Sequence, residues 1–215
     1  MPATPSNPRP RPLIHINGYP GVGKHTVARA LQTLLAAHAL PARLVANHLL
    51  IDAANAVLPR AERGYHALRR SLRLVVFEAL ADGPATRDQV YIFTDSQGTD
   101  IVGASTCAEF VVTARHRGCG LVSVVLSCDE GAHLERVLAA DRVARGGRMV
   151  DASLAKTIRE KSRIYRFSEL AAEGGTLEVD VTSLSPEEAA MKIFRHVLDA
   201  CPELGSDVGS AAQAK

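Results

Sequence analysis

Gly18-Tyr19-Pro20-Gly21-Val22-Gly23-Lys24-His25-Thr26 sets a glycine, four residues, a second glycine and a lysine in a row. This spacing lets a loop wrap its backbone N–H groups around phosphate oxygens. Gly18, Gly21 and Gly23 permit the close approach and unusual torsions, while Val22, His25 and Thr26 complete the cradle. Lys24 supplies the positive charge for the β- and γ-phosphates, and a helix starting beside it adds the positive end of its dipole. The hydroxyl that commonly follows the lysine is displaced by one position: His25 comes first and Thr26 second. Thr26 is therefore the hydroxyl candidate for a magnesium ion, directly or through water.

Moving a phosphoryl group also takes an acid to hold the metal or orient the receiving hydroxyl, and such acids stand at the C-terminal ends of strands. Asp95 follows the apolar run Val90-Tyr91-Ile92-Phe93-Thr94 and is a metal candidate; its alternative role is a helix or turn cap. Asp52 lies shortly after a second short strand, in Asn47-His48-Leu49-Leu50-Ile51-Asp52, and is the second such acid. Asn47 and His48 are the strand-end alternatives. Arg136, Arg142, Arg145 and Arg148 surround Gly146-Gly147 and read either as a solvated helix face or as a hinged lid, about 136–150, that brings charge to the transferring group. Arg142 and Arg145 are the first choices for that catalytic role. Arg69, Arg70 and Arg73 sit on a separate helical stretch.

The elements that must position these residues alternate. Leu13–Asn17, Ala42–Ala46, Val90–Phe93, Leu121–Leu126 and Leu177–Val181 read as strands, nearly continuous in hydrophobicity as burial on both faces requires. Between them, helical spacing runs from the phosphate loop to Pro41, from Asn47 toward Pro59, over 62–81 and over 101–117, where Gly118 ends it. A helix is predicted over 153–170, and Ser185-Pro186-Glu187-Glu188 is a capping box opening the last helix. Alternation of this kind predicts an α/β chain: a three-layer α/β/α domain with a five-stranded parallel sheet, spanning 13–204, with a mobile arginine-rich lid. Residues 1–12, carrying five prolines, and residues 205–215 read as disordered tails.

Gly-x-Pro-Gly-x-Gly-Lys-x-Thr is similar to the loop of adenylate kinases and related small P-loop kinases, which also place threonine second after lysine. Asp95 resembles a Walker B acid, and Leu177–Thr182 with the following Ser-Pro-Glu-Glu resembles the last strand and helix of gluconate, shikimate and adenylate kinase relatives. The resemblance spans about residues 13–200. It implies ATP and Mg2+ as the cofactors, with the γ-phosphoryl group moving to a small-molecule acceptor held in the cleft opposite ATP. Asp52 falls where the small-molecule kinases this chain resembles often keep an acceptor-binding or catalytic acid. Arg69, Arg70 and Arg73 fall in the region that forms the acceptor-binding helices of those kinases, which implies that they could receive an anionic acceptor. Two alternatives stay open: a P-loop NTPase hydrolysing ATP or GTP to drive a conformational change or a nucleic-acid process, and a nucleotide-binding module without chemistry.

Composition narrows the partners. A net charge of +2 and 4% aromatic residues give nucleic acid little field and few stacking platforms. No stretch approaches the ~20 apolar residues of a membrane helix, and the proline-rich start lacks the pattern of a secretory signal, so a cytoplasmic protein is expected. The four cysteines form no CxxC pair and read as small buried residues.

Overall fold

The computed structural model describes residues 9–138, 152–171 and 174–205. Arg142, Arg145 and most of the predicted lid lie outside the described residues. Five parallel strands form one sheet in the order β2-β3-β1-β4-β5: β1 (Leu13–Gly18), β2 (Ala42–Ala46), β3 (Val90–Thr94), β4 (Leu121–Ser127) and β5 (Thr176–Asp180). Helices flank it on both faces: α1 (Lys24–Ala37), α2 (Asn47–Val57), α3 (Tyr65–Asp82), α4 (Ile101–Arg117), α5 (Glu130–Leu138), α6 (Ala152–Lys161), α7 (Ser168–Ala171) and α8 (Pro186–Ala200).

Burial on both faces explains why the central strands lack polar alternation. Along β1, Ile14 and Ile16 enter a core with Leu31 and Leu35 of α1 and Ile193 and Val197 of α8. Leu13 turns the other way, into a core built on Phe77 of α3, Phe93 of β3 and Phe110 of α4. His15 and Asn17 share that second direction and are fully buried polar residues in an otherwise apolar strand. Asn17 stands at the C-terminal end of β1, where the glycine loop begins.

The helix ends follow local chemistry. Asp100 accepts hydrogen bonds from the N–H groups of Val102 and Gly103 to open α4, and Gly118 at φ +73° closes it. Ser185 and Glu188 exchange side-chain-to-backbone bonds at the start of α8, the capping box the sequence predicts.

Two boundaries differ from the sequence reading. Residues 9–12 already belong to the fold, with Pro10 and Pro12 buried. Prolines bring no N–H group to satisfy, and the Arg11 carbonyl accepts from Arg117 Nε at 3.3 Å. The helix expected over 153–170 is two helices, α6 and α7, because the intervening chain extends against the 97–99 loop. Thr99 N–H donates to Arg163 O at 2.9 Å and Tyr165 N–H to Gln97 O at 3.0 Å, around a Gly98–Ile164 bridge. Among the described residues, no helix is long and apolar enough to cross a membrane.

Candidate active site

The phosphate loop joins β1 to α1 through three glycines at positive φ: Gly18 at +153°, Gly21 at +99° and Gly23 at +106°. Gly18 has no room for a side chain, since a Cβ there would stand 2.6 Å from the Leu126 carbonyl oxygen of β4. Gly23 has the opposite surroundings, with nothing within 4 Å of where a Cβ would be. A β-carbon would be strained by the backbone at either place, and at Gly23 it would project into the open face of the loop. Strand, glycine loop and helix N-terminus thus form a concavity of N–H groups that fits a polyphosphate. Lys24 Nζ folds back onto this loop, donating to Gly18 O at 2.7 Å and Tyr19 O at 2.8 Å. His25 and Thr26 are exposed on the first turn of α1. Partial burial first, and then the neighbouring Arg29 and His48, lower the His25 pKa below the usual imidazole value.

One flank of the loop is held by the β4–β5 side. Tyr19 Oη donates to Ser162 O at 2.7 Å, and the Arg159 guanidinium lies 5.7 Å from the centre of the Tyr19 ring. The buried His133 of α5 donates from Nε2 to Pro20 O at 2.8 Å. Arg136 donates to Val181 O at 2.6 Å and reaches Val22 O at 3.4 Å. Arg136 therefore joins α5, the chain after β5 and the loop. His133 and Arg159 carry no motif, and Tyr19 fills an unspecified position of the phosphate loop, so only the structure reveals their part.

The other flank is a polar network at the ends of β1, β2 and β3. The Asn17 side-chain oxygen accepts from the N–H groups of Gly18 at 3.0 Å and Gln97 at 2.8 Å. Its amide donates to Gln97 O at 3.0 Å and Tyr165 O at 3.2 Å. Ser96 Oγ donates to Gly18 O at 2.9 Å. The phosphate loop and the 95–97 loop are thereby fixed to each other. A polar residue at the end of an apolar strand was the available signal for Asn17.

Asp95 stands in the middle of this network, nearly buried, and does not cap α4, a role taken by Asp100. Its Oδ1 accepts from Asn47 Nδ2 at 2.6 Å and Ser96 N–H at 2.8 Å, and its Oδ2 from Gln97 Nε2 at 2.7 Å. His15 Nε2 approaches Oδ2 to 4.0 Å. Burial pushes the Asp95 pKa up, but the facing His15 and the bonds from Gln97 and Ser96 outweigh it and hold the carboxyl below the usual aspartate range. Of the strand-end alternatives, Asn47 makes the contact with Asp95, while His48 is exposed at the start of α2. Asp52 is exposed farther along α2.

Asn47 extends the network outward, accepting from Arg69 Nη2 at 2.8 Å. Arg70 and Arg73 turn away to one carboxylate, Glu109 of α4, at 2.6 Å each. A separate cavity of about 290 Å³ lies at the other end of the strands, lined by Gly120, Gly175 and Cys201, away from both loops.

No protein-family model and no curated protein matches the sequence. Solved structures match it over most of their length. A candidate kinase from Chloroflexus aurantiacus superposes with TM-score 0.63 at 17% identity, covering 89% of this chain and 98% of that one. The Mycobacterium tuberculosis APS kinase, solved with AMPPNP and APS, gives TM-score 0.57 at 17% identity, covering 88% and 99%. A gluconokinase from Sinorhizobium meliloti gives 0.52 at 18%, covering 94% and 98%. With its parallel sheet, its glycine loop before α1 and its acid at the end of β3, the chain has the fold of the P-loop kinases of small molecules.

Proposed function

We propose that the protein is an ATP- and magnesium-dependent phosphotransferase that moves the γ-phosphoryl group to a hydroxyl of a small-molecule acceptor. The observation that carries this reading is the joint between the two loops. The Ser96–Gly18 bond, with Asn17 bridging both segments, sets the phosphate cradle beside the Asp95–Asn47 pair. A phosphate-holding site and a hydroxyl-orienting site side by side are what a transfer between two bound molecules needs.

In the reaction, the bond from the γ-phosphorus to the bridging oxygen of ADP breaks as the acceptor oxygen forms its own bond to phosphorus. The hydroxyl proton is released to solvent. Gly18, Gly21, Val22, Gly23, His25 and Thr26 bind through the loop, and Lys24 exchanges its loop carbonyls for phosphate oxygens. Magnesium supplies charge neutralisation on the polyphosphate. Thr26 would offer it an exposed hydroxyl, and Asp95, whose carboxylate already accepts from three protein donors, would hold it as the acid at the end of β3. A carboxylate has about four acceptor positions, so Asp95 keeps one for a substrate or water. Asp52, exposed on α2, is the second acid proposed for the acceptor, and Arg142 and Arg145 would add positive charge to the transferring group.

The test is ATP consumption with magnesium against a panel of nucleosides, nucleotides, sugar acids and antibiotics, with products identified by mass. A phosphorylated acceptor supports the transfer. Hydrolysis that no acceptor stimulates assigns the chain to the NTPases instead.

A further inference from the structure

The three arginines of α3 do not have the same surroundings. Arg70 and Arg73 converge on Glu109, with Arg73 largely buried against it, and their task is to tie α3 to α4. Arg69 is turned to the other side, toward the strand ends. It makes one hydrogen bond, to the neutral amide oxygen of Asn47, and its Nε is buried with no partner. No carboxylate among the described residues forms an ion pair with it. The acid whose field reaches it is Asp95, on the far side of Asn47, and the neighbouring charges of Arg73 and Arg60 are of its own sign. A half-buried guanidinium in this position is costly unless something negative completes it.

The geometry points to an anionic acceptor: we infer that Arg69 binds a carboxylate or phosphate group of the molecule whose hydroxyl is phosphorylated, making Arg69 the residue that sets the acceptor's charge class. The inference rests on the phosphotransferase reading and deepens it. Asn47 joins the two ends of the acceptor site, since its amide N–H holds Asp95 and its oxygen holds Arg69. An acceptor lying along this row meets charge at Arg69 and has its hydroxyl at the Asp95 end, beside the phosphate loop. A planar guanidinium favours carboxylates and phosphates because both accept two parallel N–H groups. Two positive charges sharing Glu109 behind it leave this side of the cleft with a positive surplus.

Matched pairs test the assignment in the full chain: gluconate against glucose for a carboxylate, and glucose 6-phosphate against glucose for a phosphate. Binding is read by calorimetry in the presence of magnesium and a non-hydrolysable ATP analogue, and transfer by product mass with ATP. One or both anions should bind at least about 10-fold tighter than the neutral partner, as a charge-assisted hydrogen bond requires. Arg69→Gln should remove that preference with analogue affinity unchanged, Arg69→Lys should restore part of it, and Arg70→Gln should leave it within about 2-fold, the scatter of a surface pair. Which anion binds separates carboxylate from phosphate. Equal binding of neutral and anionic partners, binding of neither anion, or a preference that survives Arg69→Gln overturns the assignment. Anion binding through Arg69 without any phosphorylated product leaves the anion site standing and defeats the phosphotransferase reading instead.

Discussion

The two sides of β1 accomplish similar positioning by different means. Toward β4, the phosphate loop is built from backbone: three glycine torsions, a helix start and a lysine, all within nine consecutive residues. Toward β3, the polar network around Asp95 is built from side chains, with Asn17, Asn47, Arg69, Asp95, Ser96 and Gln97 drawn from separate places in the chain. A backbone device depends on a few residue types at fixed spacing and tolerates change around it. A side-chain network depends on every member, because removing one leaves its buried partners unsatisfied.

The largest expected effect tests the backbone side. Lys24→Ala should reduce ATP turnover by about 10³-fold or more, as loss of a charge at the transferring phosphate does. Its melting temperature should hold, because the two carbonyls it bonds, Gly18 O and Tyr19 O, belong to its own loop. A large loss of stability would show that the loop depends on its lysine as a strut.

Asn17→Ala should invert that pattern. It strands two N–H groups and the Tyr165 carbonyl, while Gln97 O keeps its bond from Tyr165 N–H, at a cost of about 2–4 kcal/mol for several unsatisfied groups, read from the urea midpoint. If stability is unchanged, the two loops are held together by other contacts and the contrast with β4 fails.

Asp95→Asn sharpens the same contrast through pH. Three donors point at the carboxylate, and an amide must set its own NH2 against one of them, for a cost of about 1–3 kcal/mol at neutral pH. Because the folded Asp95 has a lowered pKa, its charge stabilises the fold fully above the ordinary value of about 3.9. That contribution is lost as pH falls through the lower folded value. The stability gap between wild type and Asp95→Asn should therefore narrow below about pH 4. A gap that stays constant in acid means the carboxylate charge is not what the donors recognise. Turnover should also drop, and Asp52→Asn should cost less than Asp95→Asn.

The smallest effect is expected from Tyr19→Phe, which deletes one bond to Ser162 O, worth about 1 kcal/mol. Thermal melts resolve that loss, and no change would leave the ring's contact with Arg159 as the operative one.

This division also governs what the sequence made legible. The loop, the five strands and the capping box at Ser185 come from short-range spacing, and each stands where spacing predicts it. The break between α6 and α7 does not, because its cause is a contact with residues 97–99, far away in the chain. Asp95 was visible as a strand-end acid. Its partners were not, since nothing local in Gln97 or Asn17 marks them as the groups that surround it. Arg69 could not be distinguished from Arg70 and Arg73 until Glu109 was seen to claim the other two.

The carbonyls that hold Lys24 give the loop an internal rival for its own ligand. Measured nucleotide affinity is then a difference between two sets of hydrogen bonds: those the ammonium makes to phosphate oxygens, less those it gives up at Gly18 and Tyr19. An exchange of near equals weakens ground-state binding little when the lysine is removed, while the rate, which draws on charge building up later, falls in full. A lysine kept occupied in this way also spares the empty loop an unscreened cation, so the cradle holds its shape before the nucleotide arrives.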